Sequence, residues 1–195
     1  MEKKKTTLLH LIVSLCSICI IAGLALAVVY ALTKEPIAQI QETKKNQAIQ
    51  QVLPGFKGNI VELKIMPENG KDSITVYEAF MDEQLYGIAV ESYTNMAYSG
   101  KFTIMVGFDT SGVIMGTEIL KMDETPGLGD KIDKKKSKFS LQFDGKNPAE
   151  VVLKLTKDGG EIDAITAATI SSRAFCDAID RAYQVYVQAM KIDHE

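Results

Sequence analysis

Between Leu8 and Thr33 the stretch LLHLIVSLCSICIIAGLALAVVYALT contains no Asp, Glu, Lys or Arg. A membrane-spanning helix needs about 20 apolar residues, whereas the apolar region of a signal peptide runs to about 7–15. The stretch therefore predicts a transmembrane helix over 8–33. Cleavage after Ala25-Leu26-Ala27 would make it a signal peptide, but the apolar residues continue through Val28, Val29 and Tyr30. Lipoprotein processing is disfavoured too, because Leu15 and Ile18 precede Cys16 and Cys19, where a small residue is needed. Lys3, Lys4 and Lys5 stand before the run and a mixed Lys34-Glu35 pair after it. That bias predicts a cytoplasmic segment 1–7, with everything beyond Thr33 on the far side of the inner membrane.

The remainder divides into a stalk helix over 34–54 and a domain over 55–195. Pro36 suits the first turn of a helix. Ile37, Ile40, Ala48, Ile49, Val52 and Leu53 then recur at helical spacing until Pro54-Gly55 ends the run. Strand-like segments follow at 60–66, 73–82, 85–93, 102–108 and 113–121. Phe102, Ile104, Val106 and Phe108 alternate with the period of a half-buried strand. Asp109-Thr110-Ser111-Gly112 reads as the hairpin turn into Val113. Two further strand candidates lie at 138–143 and 151–156. Phe175, Ile179, Ala182, Tyr186 and Met190 form a stripe at three- and four-residue steps, predicting a C-terminal helix. Antiparallel strands followed by one packed helix make an α+β domain.

Little conventional catalytic equipment is visible. With 195 residues and a formal charge of −3, the chain offers no polyanion-binding face, which argues against nucleic acid as a partner. His10 lies in the apolar run and His194 near the end, neither with a second ligand at metal-binding spacing. Cys16, Cys19 and Cys176 do not make a disulfide framework.

Two stretches ask for more. In DETPGLGDKI, 123–132, Pro126 fixes its own φ while Gly127 and Gly129 free the backbone. Such a loop can bring main-chain N–H groups to a flat or anionic ligand, with Leu128 as an apolar contact; it can equally be a plain turn between strands. In DAITAATISSRAF, 163–175, Thr166, Thr169, Ser171 and Ser172 surround a predicted helix start between Thr166 and Ser172. One hydroxyl suffices for an N-cap. The same geometry, with small Ala167 and Ala168 beside it, also suits a phosphate at the helix N-terminus.

ETPGLG, complete at Glu124 to Gly129, and the second stretch together resemble the FMN-binding subunits of ion-pumping membrane oxidoreductases. These are the G subunit of the Rnf complex and the C subunit of the sodium-translocating NADH:quinone reductase. In that family one N-terminal membrane helix precedes an exported FMN domain. The second family motif is an Asp, a Ser or Thr, then Gly-Ala-Thr and a hydroxyl residue. Asp163, Thr166, Ala168, Thr169 and Ser171 match it, and Ala167 stands where the family usually has Gly. An alanine methyl is the smallest addition a glycine site can take and is accommodated where φ is negative.

The resemblance implies covalent FMN on Thr169 through a phosphoester bond. It also implies phosphate contacts from the first-turn N–H groups and from the Thr166 or Ser171 hydroxyls. Glu124, Thr125, Gly127, Leu128, Gly129 and Ile170 are then expected along the cofactor. Asp163 and Ala168 are expected to serve recognition by a flavin transferase, Asp163 as a recognition or capping residue rather than a base. The implied role is an electron relay in an ion-translocating ferredoxin:NAD oxidoreductase, with membrane, iron–sulfur and flavin subunits as partners and no independent catalysis. The chain is shorter than the typical quinone-reductase member of the family, which favours the Rnf type. A non-redox, membrane-anchored assembly or sensor module is the alternative from another class.

Overall fold

The computed structural model describes residues 8–67 and 72–192; the basic segment 1–7 and His194 lie outside the described residues. The chain divides into two compact units after Lys44.

The first unit is helical. The apolar run and the expected stalk form not two helices but one, α1, Leu8–Val52, with Pro36 in its interior. Proline lacks the N–H that would reach the carbonyl four residues back, so one bond is missing there, but its φ is compatible with helix. Hydroxyls within α1 turn inward to the helix backbone: Ser17 Oγ donates to Ser14 O at 2.8 Å and Thr33 Oγ1 to Val29 O at 2.8 Å. This satisfies them without water. The side chains from Leu8 to Leu32 are exposed, and α1 is long and apolar enough to cross a membrane.

The second unit is built on a five-stranded antiparallel meander in the order β1-β2-β3-β4-β5. Its strands are β1 Asn59–Ile65, β2 Ile74–Met81, β3 Gln84–Ala97, β4 Gly100–Phe108 and β5 Ile114–Lys121. All five expected strands are present. Successive side chains point to opposite faces, and both faces are covered. Ile74, Val76, Ile88, Val90, Phe102, Ile104, Val106 and Phe108 face the C-terminal helix α2, Thr169–Ile192. Tyr77, Ala79, Ala89 and Met105 face Ala48, Ile49, Val52 and Leu53, the last residues of α1 and those just after it. Gly107 permits that second contact: a Cβ there would stand 2.1 Å from Val52 O.

The α2 stripe read from sequence packs as expected, with Phe175, Ile179, Ala182 and Tyr186 buried. Two buried hydroxyls of β3 hold it in place. Ser92 Oγ donates to Ala178 O at 2.7 Å, and Thr94 Oγ1 donates to Asp177 Oδ2 at 2.7 Å. The β4–β5 turn is also as read. Asp109 Oδ1 accepts from Ser111 N, Ser111 Oγ and Val113 N at 2.7–2.9 Å, while Gly112 takes φ 86°. Burial works to raise the Asp109 carboxyl, but these donors hold it below the usual carboxylate range.

The two additional strand candidates do not form. Within 138–143 there is a short 3-10 turn, Ser140–Gln142. A strand would put Phe139, Leu141 and Phe143 on one face. Instead both phenylalanines are buried against Phe175, with ring centroids 5.4 and 5.1 Å away, while Leu141 is exposed. Residues 151–156 bury Leu153 and Leu155 alternately, yet Leu155 makes only an isolated parallel bridge, to Ile162. The segment lies off the sheet and ends in a 3-10 turn, Thr156–Asp158, which Gly159 closes at φ 82°.

Candidate functional site

The two singled-out stretches meet at one end of the sheet. The first leaves β5 and leads into the 3-10 turn Gly129–Ile132, so it is not a turn between two strands. Thr125 O accepts from Leu128 N at 3.2 Å, with Pro126 second and Gly127 third at φ 79°. That is the pattern of a type II turn, which needs positive φ at its third position. Below it, Lys136 Nζ binds Asp130 Oδ2 at 2.6 Å. Lys134 and Lys135 both bind the buried Glu118 at 2.9 Å. Burial works to raise the Glu118 carboxyl; the two lysines outweigh it and hold it below its ordinary value.

The second stretch builds the same turn again. Ala168 N donates to Ile165 O at 3.0 Å, and Ala167, third of the four, has φ 62°. The negative φ under which an alanine is easily accommodated is therefore not what this position adopts. Ala167 occupies a conformation that favours glycine, because a Cβ crowds the carbonyl in the left-handed region. α2 begins two residues later.

None of the four hydroxyls is an N-cap. Ser172 Oγ accepts from Ile165 N at 3.0 Å and donates to Ala168 O at 2.9 Å, tying the turn to the helix. Ser171 Oγ donates to Glu124 Oε2 at 3.0 Å, a buried bond that joins the two motifs. Thr169 Oγ1 receives a bond from Lys157 Nζ at 2.6 Å. Thr166 is exposed. Among the described residues, no side chain accepts from the first-turn amides of Thr169, Ile170 and Ser171. Asp163 precedes the turn, and its backbone N–H and C=O pair with the Gln142 side chain at 2.8 and 3.1 Å.

Between the motifs lies a cavity of about 480 Å³, within the range of small-molecule sites. Of the expected residues it gathers Glu124, Thr125, Leu128, Gly129, Ala168, Thr169, Ile170 and Ser171. Thr166, Gly127 and Asp163 are not among its lining residues. Gly129 has a steric reason to be glycine: a Cβ there would stand 2.2 Å from Glu124 Oε2 and 2.6 Å from Ser171 Oγ. Glu124 is further fixed by Ser99 N, which donates to Oε1 at 3.4 Å. Leu128, Ile170 and Tyr98 supply exposed apolar surface around the opening. The site thus combines apolar walls, small residues and unpaired amides at a helix N-terminus. That donor set suits a flat, phosphorylated ligand.

Two participants escape a reading of the sequence. Tyr98 follows β3 in the tight β3–β4 connection and carries no periodic signal. Lys157 sits in Lys-Asp-Gly-Gly, which signals only a turn.

The model of the FMN-binding domain family matches residues 97–184, which include Tyr98, both motifs and Lys157. The G subunit of the ion-translocating oxidoreductase complex of Aliivibrio fischeri (strain ATCC 700601 / ES114) is 34% identical over 177 residues, covering 85% of this chain and 84% of that protein. The G subunit of Escherichia coli (strain K12) is 34% identical over 172 residues, covering 84% and 83%. That of Vibrio cholerae serotype O1 (strain M66-2) is 34% identical over 175 residues, covering 85% and 83%.

Proposed function

Because the chain belongs to the family of G subunits of ion-translocating oxidoreductase complexes, we propose that it is the flavin-bearing electron-transfer subunit of such a complex. It relays electrons between neighbouring subunits of a ferredoxin:NAD oxidoreductase of the Rnf type and turns over no substrate alone. FMN supplies the redox chemistry, exchanging electrons singly or in pairs, while the protein supplies position and electrostatics.

The observation that carries this reading is the convergence of both motifs on one cavity, joined by the Ser171–Glu124 bond, with Thr169 on its wall. In this reading Thr169 Oγ1 bears the FMN phosphate as a phosphoester. The open amides of Thr169, Ile170 and Ser171 receive its oxygens, where the helix dipole favours negative charge. Ala167 and Ala168 leave room for it. Thr125, Leu128, Gly129, Ile170 and Tyr98 surround the rest of the cofactor. Glu124 and Ser171 act by holding the loop against the helix, since their polar atoms already bond each other.

The apolar part of α1 anchors the protein in the cell membrane, with the N-terminus cytoplasmic and the FMN domain extracytoplasmic. A covalent tether suits that side, where a lost cofactor is hard to replace. Attachment requires a separate flavin transferase, for which Asp163, exposed beside the turn, is a recognition point.

Co-expression with a flavin transferase, followed by a denaturing gel viewed for flavin fluorescence, tests the reading. The wild-type band should fluoresce and Thr169→Ala should be dark. A dark wild-type band would remove covalent attachment, and a fluorescent T169A band would move it to another residue.

A further inference from the structure

We infer that Lys157 is the cationic partner of the attachment site. It aligns the Thr169 hydroxyl before flavin transfer and neutralises the phosphate afterwards. This rests on the reading of Thr169 as the attachment residue.

The geometry begins with the backbone around Lys157. It lies in the 3-10 turn Thr156–Asp158, and that turn is braced on several sides. Thr156 N donates to Ile162 O at 2.9 Å, Ile162 N to Lys154 O at 3.0 Å and Gly160 N to Leu155 O at 3.0 Å. Gly160 packs so closely that a Cβ would stand 2.1 Å from Lys154 O. Asp158 then clamps the turn to α2. Its carboxylate accepts from Arg173 Nε at 2.7 Å and Nη2 at 2.8 Å, a two-pronged pair that is planar and directional. Arg173 lies one helical turn beyond Thr169, so this clamp sets Lys157 beside the first turn of α2.

The chemistry of the contact is specific. The Lys157 ammonium donates to Thr169 Oγ1, and an ammonium has three donors and no acceptor. The threonine oxygen keeps its own hydrogen and a further lone pair. Asp158 is engaged by Arg173, and among the described residues Lys157 forms no ion pair. The neighbouring Asp158 carboxylate lies within the field of Lys157, but the hydrogen bond of the ammonium goes to the threonine oxygen.

In the attachment step, flavin adenine dinucleotide serves as donor. The Thr169 O–H bond and the phosphoanhydride bond break, an Oγ–P bond forms, AMP leaves, and the hydroxyl proton passes to a base of the transferase. Lys157 stabilises negative charge on Oγ1 and on the phosphoryl oxygens as that bond forms. In the product it faces a phosphodiester anion. Being protonated, it is a positioning residue and not the base.

The test is a labelling time course with purified flavin transferase and the full-length chain in detergent, comparing wild type, Lys157→Met, Lys157→Arg and T169A. Lys157→Met is expected to slow attachment about tenfold, the scale of one charge-assisted hydrogen bond. Lys157→Arg should recover most of the rate, and the melting temperature of Lys157→Met should stay at the wild-type value. With T169A dark, wild-type labelling rates in Lys157→Met would overturn the inference and leave the attachment site standing. Equal slowing in the Arg and Met variants would overturn the charge argument. A labelled T169A chain would instead refute the attachment reading itself.

Discussion

Ala167→Gly should make this protein more stable, although glycine normally loosens a chain. Ala167 holds φ 62° in the turn before α2. An L-residue in that region carries a penalty of roughly 1–2 kcal/mol, from Cβ against the following carbonyl oxygen. Glycine removes the penalty but gives the unfolded chain more freedom, which takes back roughly 0.4–1 kcal/mol. The net gain is about 1 kcal/mol, or about 2–4 °C in melting temperature for a domain of this size. Ala168→Gly is the matched control. It is the next residue, is not at positive φ and is 6% exposed, so glycine there should lower the melting temperature through chain entropy and lost contact. Calorimetry on the detergent-solubilised chain reads both. If Ala167→Gly melts at or below the wild type, the assigned backbone conformation at this turn is wrong.

Two further expectations concern the loop facing that turn. Gly129→Ala should cost roughly 1–3 kcal/mol, typical of overpacking, and separate Ser171 from Glu124; chemical denaturation and the fluorescent-gel assay would show lower stability and weaker labelling together. Glu118 is depressed below its ordinary value by Lys134 and Lys135, so its contribution is complete above the ordinary carboxylate range and lost as pH falls through the lower, folded value. The melting-temperature gap between wild type and Glu118→Gln should therefore shrink from about pH 6 to about pH 3, and a constant gap would contradict the pairing.

Legibility in the sequence follows the range of the forces involved. The five strands and the stripe of α2 are readable because each is fixed by a local period. The segments 138–143 and 151–156 are not: their apolar residues satisfy strand spacing, but Phe139 and Phe143 pack on Phe175 and Leu155 pairs only with Ile162. Pro36 signals a helix start because position-specific preference says so. The helix instead runs through it, since one missing hydrogen bond is minor within so long an element. At the site, the resemblance locates both motifs. What it cannot supply is the partner of each hydroxyl. Those partners, Glu124 for Ser171 and Lys157 for Thr169, lie 47 and 12 residues away along the chain, and no local pattern encodes them.

The end of α1 belongs to the interior of the second unit. Ala48, Ile49 and Val52, with Leu53 just beyond the helix, are at most 3% exposed and cover Tyr77, Ala79, Ala89 and Met105. A soluble fragment begun at Gly55, where helical spacing in the sequence stops, would open that face of the sheet to water and offer it to other chains. Cutting before Lys45 keeps the face closed, so the second unit carries the last two turns of α1 as part of its own core.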